Sequence, residues 1–169
     1  MNIEFGCGEN PTKEGYLTCD IRDLPGIDFV CPAWEIHTRV AEESVDNIFS
    51  RHFFEHLTFE QGKVFLENCR KILKPGGSME MMLPNMSFHI MQWIDGREEE
   101  HARAGFYGWQ RGAFDDTWDV HKSGYTSVSL RKTLAMARYT NIKSLRPVSD
   151  KHLHMIAYKN AGDDRIDPK

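Results

Sequence analysis

The stretch Glu4-Phe5-Gly6-Cys7-Gly8, with Asp20 a short way downstream, decides how this chain is read. Residues 1–5 are short and apolar enough for a buried strand, and the glycines turn the chain where that strand ends. A glycine-bearing turn lets backbone approach a nucleotide closely, and an acid at the end of the next strand can hold ribose hydroxyls. Alone the pattern is weak, because glycines also serve plain turns. It gains weight from three later blocks: Ser44-Val45-Asp46-Asn47-Ile48-Phe49, His52-Phe53-Phe54-Glu55-His56-Leu57 and Leu73-Lys74-Pro75-Gly76-Gly77.

Working outward, residues 16–21 read as a second strand, 28–31 as a third, 45–50 as a fourth and 78–83 as a fifth. The link 9–15 and the Pro25-Gly26 turn are too short for crossover helices, which take about a dozen residues or more. The clearest helix spans 59–73, with Val64, Phe65, Leu66, Ile72 and Leu73 on its apolar side. Thr58 and Gln61 have capping-box spacing at its start, and Lys74-Pro75-Gly76-Gly77 is its stop. Residues 88–106 read as a helical insertion with a charged middle, and 107–125 as an irregular loop rich in Gly, Asp and aromatics. A late helix spans 127–138, with Val128, Leu130, Leu134 and Met136 as core candidates. Segments 142–148 and 152–158 suit closing antiparallel strands, and 161–169 a frayed polar tail. The expectation is a single α/β domain over 1–160, with an insertion at about 86–125.

The length of 169 residues suits one domain. A net charge of −4 gives no general attraction to nucleic acid or anionic membrane, and no apolar run approaches spanning length. Cys7, Cys19, Cys31 and Cys69 form no Cys-x-x-Cys pair, so they read as reduced thiols of a cytoplasmic protein. His52-Phe53-Phe54-Glu55-His56 matches the inverted zinc-protease pattern His-x-x-Glu-His. That reading needs a helix presenting both histidines, whereas this segment follows a strand directly, so no metal is expected.

The order and spacing of the four blocks resemble the class I S-adenosylmethionine-dependent methyltransferases, in particular small type-11-like members. Some of these are similar to enzymes that modify sugars or surface polysaccharides. The resemblance covers residues 1–85 well and 107–158 more loosely. It implies a Rossmann-like, mostly parallel seven-stranded sheet with an antiparallel last strand, here with reduced helices on one face. It implies S-adenosylmethionine as cofactor and S-adenosylhomocysteine as product. The family loop has a third glycine where this chain has Asn10, a residue that tolerates positive φ.

By the same resemblance the cofactor side comprises Glu4, Gly6, Cys7, Gly8, Asp20, Ile21, Ala33, Trp34, Arg51 and His52. The family's acid after the third strand is missing. Backbone at Ala33 and Trp34 is the replacement, with Trp34 read either as stacking surface or as core. The substrate side comprises His56, Asn85, Tyr107, Trp109 and His121, with Trp118 a further flat surface. His52 and His121 are candidate general bases, His52 being open to a structural reading as well. The acceptor is expected to be a small molecule or sugar. The Asn/Asp-Pro-Pro-aromatic tetrad of amino-methylating enzymes is absent, so nucleic acid is not expected. The competing reading is a catalytically degenerate member acting as a cofactor-binding or protein-interaction module. The two missing helices leave one sheet face without its usual cover. The expected cover is either the 88–106 insertion or a second copy of the chain, that is, a homodimer.

Overall fold

A computed structural model describes residues 1–112, 117–147 and 149–162. Seven strands form one sheet in the order β3-β2-β1-β4-β5-β7-β6. They are β1 (Asn2–Phe5), β2 (Leu17–Asp20), β3 (Phe29–Val30), β4 (Val45–Arg51), β5 (Leu73–Pro84), β6 (Tyr139–Ser144) and β7 (His152–Lys159). Strands β1 to β5 pair in parallel, and β7 runs antiparallel between β5 and β6. Strand order reverses at β1, which pairs with β2 through Ile3↔Leu17 and with β4 through Ile3↔Ile48. Chains leaving β1 and β4 diverge there and open a crevice beyond the carboxyl ends of the strands.

The core follows from alternation along the strands. Ile3, Phe5, Ile48, Met79, Met81, Leu83, Leu153, Met155 and Ala157 are buried together with Phe65, Leu66 and Ile72 of α1 (Phe59–Ile72). Leu130 and Leu134 of α4 (Ser127–Met136) and Ile36 of a 3-10 turn at Ala33–Thr38 join the same cluster. Helix α1 begins on the expected capping box, with Gln61 N–H donating to Thr58 Oγ1 and Thr58 N–H to Gln61 Oε1.

Several expectations are corrected. Helix α1 passes into β5 at Leu73, so Lys74-Pro75-Gly76-Gly77 is not a loop but an irregularity within the β4–β5 pairing. A Cβ on Gly77 would sit 2.9 Å from Lys74 O and 3.0 Å from Asp46 O, so glycine lets the two strands close up there. The insertion is two helices, α2 (Met86–Ile94) and α3 (Glu99–Tyr107). Gly96 (φ +64°) and Glu98 (φ +44°) take the left-handed conformation that ends one helix before the next begins. Of the expected charged middle, Arg97-Glu98-Glu99-Glu100, Glu99 and Glu100 form the acidic first turn of α3, where negative charge suits the helix dipole. On α4, Val128 and Met136 are exposed and only Leu130 and Leu134 are buried. Val64 of α1 is also exposed. Val148 and residues 163–169 lie outside the described residues.

No helix follows β1 or β2, as expected. The strand positions alternating with the core carry polar groups instead. Glu80 accepts from Lys13 Nζ at 3.3 Å and pairs with His154 Nε2 at 2.9 Å. Ser78 donates to Asn47 at 2.8 Å, and Asn47 to Asn2 at 3.0 Å. Lys13 Nζ lies 4.3 Å from the Phe49 ring centroid. Meanwhile α2 and α3 supply His89, His101, Ala104 and Gly105 to a chamber at the carboxyl end of the sheet.

Candidate active site

The glycine turn is shaped by its neighbours. Gly6 (φ +63°) and Gly8 (φ +57°) adopt the left-handed region, and a Cβ on Gly6 would overlap the Phe53 ring. Gly6 N–H donates to Cys19 O at 2.8 Å, which ties the turn to β2. Glu4 is 1% exposed and accepts from Thr12 N–H, Thr12 Oγ1 and Lys13 N–H at 2.7–3.1 Å. Its carboxylate is thus committed to the returning loop. Cys7 has its thiol pushed up to about 11 by burial, then by Asp20 and Glu4.

Asp20 ends β2 with its carboxylate 6% exposed. Gly8 N–H donates to Oδ2 at 3.0 Å, and Arg22 N–H and Nε donate to Oδ1 at 3.0 and 3.1 Å. Burial alone would raise this carboxyl. The Arg22 guanidinium and the N–H groups of Arg22 and Gly8 outweigh it and hold Asp20 below the usual carboxylate range.

Two chambers open at this end of the sheet. The first, about 440 Å³, is lined by Gly6, Asp20, Ile21, Ala33, Trp34, His52, Phe53 and His56, with Arg22, Trp118 and Lys122 among the remainder. The second, about 360 Å³, is lined by six histidines (His52, His56, His89, His101, His121 and His152) with Glu55, Trp109, Asp119 and Lys151. His52, His56 and Asp119 belong to both.

His52 follows β4 with φ +49°, an unusual backbone for a residue with a Cβ, held by its N–H donating to Met82 O at 2.8 Å. Its Nδ1 lies 3.2 Å from Glu55 Oε1. His56 Nδ1 lies 3.2 Å from Val120 O, and His121 Nδ1 lies 3.0 Å from Gly105 O. Burial is the leading cause that lowers His89 (to about 4), His101, His121 and His152. These rings therefore stay neutral near pH 7 and offer lone pairs.

Of the expected cofactor-side residues, Gly6, Asp20, Ile21, Ala33, Trp34 and His52 line the first chamber. Glu4, Cys7, Gly8 and Arg51 are not among its lining residues; Glu4 and Gly8 act on the loop and on Asp20. Of the substrate-side residues, His56, Trp109 and His121 line the second chamber. Asn85 instead caps α2, accepting from Ser87 N–H and donating to Asp150 O. Tyr107 packs against Trp93 and Phe106, outside both linings. His89, His101 and His152 were not anticipated, since each comes from a different segment and no spacing links them. The histidine count was the available signal: six of the chain's eight meet in one chamber.

This sheet order, with a glycine turn after β1 and an acid closing β2, defines a Rossmann-like methyltransferase fold. The methyltransferase domain family matches residues 10–81, from just past the glycine turn into β5. A SAM-dependent methyltransferase from Archaeoglobus fulgidus superposes with TM-score 0.63 at 15% identity, over 94% of this chain and 85% of that one. A second, from Methanosarcina mazei, gives TM-score 0.63 at 13% identity, over 95% and 92%. The 1,6-didemethyltoxoflavin-N1-methyltransferase of Burkholderia thailandensis, solved with 1,6-didemethyltoxoflavin and S-adenosylhomocysteine, gives TM-score 0.61 at 15% identity, over 94% and 70%. No curated protein matches the chain in sequence. The chain is thus similar to the methyltransferase domain family over residues 10–81 and has the fold of these S-adenosylmethionine-dependent methyltransferases, whose cofactor is S-adenosylmethionine.

The first chamber fits that cofactor. Its volume lies in the range of small-molecule sites, roughly 300–1,000 Å³. It combines Gly6 of the turn, which has no Cβ, a buried carboxylate at the end of β2 and Trp34. Arg22 Nε donates to Asp20 Oδ1 at 3.1 Å, and both residues line this chamber.

Proposed function

We propose that this chain transfers a methyl group from S-adenosylmethionine to a hydroxyl of a small, ring-bearing or sugar-type acceptor. The observation that carries the reading is that a nucleotide-type chamber and a histidine-lined chamber meet at His52. When bound, the cofactor supplies a methyl on a sulfonium whose sulfur leaves neutral. In-line placement and exclusion of water are then the protein's main tasks. Asp20 positions the ribose, and Trp34 offers a face to the adenine. The second chamber offers the Trp109 face and imidazole edges, which suit a flat or sugar acceptor.

His52 takes the hydroxyl proton. With Nδ1–H donating to Glu55, its Nε2 is the free basic nitrogen, and the carboxylate steadies the charge that develops on the ring. We extend the proposal to a cytoplasmic homodimer. The Cys19 and Cys31 sulfurs lie 3.9 Å apart and unbonded, as suits a reducing compartment, and β1 and β2 are followed by no covering helix. The degenerate-module reading draws on one observation, the Arg22 guanidinium seated on Asp20.

The test is transfer of labelled methyl to a panel of sugar and ring hydroxyls. His52→Gln is expected to lower kcat by about 10²–10⁴-fold with little change in KM for the cofactor. Undiminished turnover in that variant, or label found only on amines, would refute the assignment.

A further inference from the structure

Glu55 lies in the 3-10 turn Phe54–His56 that follows β4, and its side chain is 1% exposed. One carboxylate oxygen faces His52 Nδ1. The other, Oε2, is buried with no hydrogen-bond partner among the described residues. A buried carboxylate oxygen left in this way is costly, and a cation is what would offset it. His56 and His121 stand beside it: one ligand atom from each of the three residues lies within 4.8 Å of the other two. The two imidazoles meet edge to face, 5.0 Å between centroids.

The histidines are already oriented. Each Nδ1 faces a backbone carbonyl, Val120 O for His56 and Gly105 O for His121. A carbonyl only accepts, so each Nδ1 carries the proton and each Nε2 presents its lone pair. Metal-binding histidines are commonly fixed by such a bond from the other ring nitrogen. The segment carrying His121 is fastened to the turn carrying the other two: Lys122 and Ser123 N–H donate to Glu55 O at 2.8 and 3.1 Å.

From this geometry we propose that Glu55, through Oε2, with His56 and His121 binds a divalent first-row cation, zinc in the first instance. Two imidazoles and one carboxylate are the donor set of open zinc sites, which keep a further position for water or substrate. Imidazole donors disfavour magnesium and calcium. A spread of up to 4.8 Å is wider than the roughly 3.5 Å between neighbouring ligands implied by zinc–ligand bonds of about 2.0–2.2 Å, so the side chains draw inward on binding. His-x-x-Glu-His thus supplies Glu55 and His56, while His52 serves Glu55 as a hydrogen-bond partner rather than as a ligand. This revises the expectation of no metal. Glu55, His56 and His121 all line the second chamber, where a further position on the cation would hold an acceptor oxygen; that role rests on the proposed function, whereas the binding site does not.

The test is zinc uptake by the chelator-stripped full chain, measured by equilibrium dialysis with elemental analysis. Cobalt(II) absorption in the visible gives a second readout. Wild type is expected to retain about one zinc per chain. Glu55→Gln and His121→Asn should each weaken binding by more than about tenfold, with the cobalt spectrum altered. Cofactor titration of the same preparations reports folding and the methyltransferase reading separately. If Glu55→Gln fails to fold, His121→Asn decides. Absence of stoichiometric zinc on folded wild type would overturn the proposal, as would equal affinity in the folded variants.

Discussion

Acidification should unfold this protein in a way traceable to one ring. His89 is 3% exposed on α2, and its Nδ1 has no partner among the described residues. The ring lies so close over Gly105 that a Cβ there would overlap it. Burial, then repulsion from His101, lowers its proton affinity from an ordinary 6.5 to about 4. In the unfolded chain the proton binds near pH 6.5, and in the folded chain only near pH 4. Between those values the unfolded state holds more protons, so stability falls as pH falls, by up to about 1.4 kcal/mol per pH unit. The contribution is fully present above pH 6.5. Integrated from pH 7 to pH 5, His89 alone costs about 2 kcal/mol. The assay is urea denaturation at both pH values in chelating buffer, on wild type and His89→Phe. Phenylalanine keeps the ring and removes the titration. Wild type should lose about 2 kcal/mol more than the variant; equal losses would refute the reasoning.

Two further predictions concern stability. Gly6→Ala imposes a left-handed backbone on a residue with a Cβ and drives that Cβ into Phe53, so denaturation should show a loss of about 2–4 kcal/mol; a change below about 0.5 kcal/mol would contradict the packing described. On α4, Leu134→Ala should cost about 2–5 kcal/mol and Val128→Ala stay within about 0.5 kcal/mol, since Leu134 is 1% and Val128 79% exposed.

The parallel half of the sheet was legible because its signals are local. Apolar runs closed by Gly6 and Pro84 mark β1 and β5, and the Thr58–Gln61 capping box marks the start of α1 to the residue. The short links after β1 and β2 could be read by length alone. Residues 73–77 were misread because Pro75-Gly76-Gly77 looks like a turn, while pairing with β4 makes the segment a strand irregularity. On α4 hydrophobicity did not distinguish Leu134 from Val128, because burial there depends on which neighbour each position meets. Of the residues that the resemblance placed on the cofactor side, Gly6, Asp20, Ile21, Ala33, Trp34 and His52 line one chamber at the carboxyl ends of the strands. Of the second chamber, His56, Trp109 and His121 stood among the expected residues, whereas His89, His101 and His152 sit on three separate segments that only the fold brings to His52 and His56. Sequence position alone did not show that Gly8 N–H donates to Asp20 or that Glu4 holds Thr12 and Lys13, because these bonds join segments that only the folded turn brings together.

If the chamber over Gly6 and Asp20 holds the methyl donor, calorimetric titration of S-adenosylmethionine and S-adenosylhomocysteine into wild type and Asp20→Ala will show it. Both should bind wild type in the micromolar range and the variant at least about tenfold more weakly, as loss of a hydrogen-bonded carboxylate implies. Folded wild type that binds neither would contradict it and leave the guanidinium of Arg22 as the permanent occupant of Asp20.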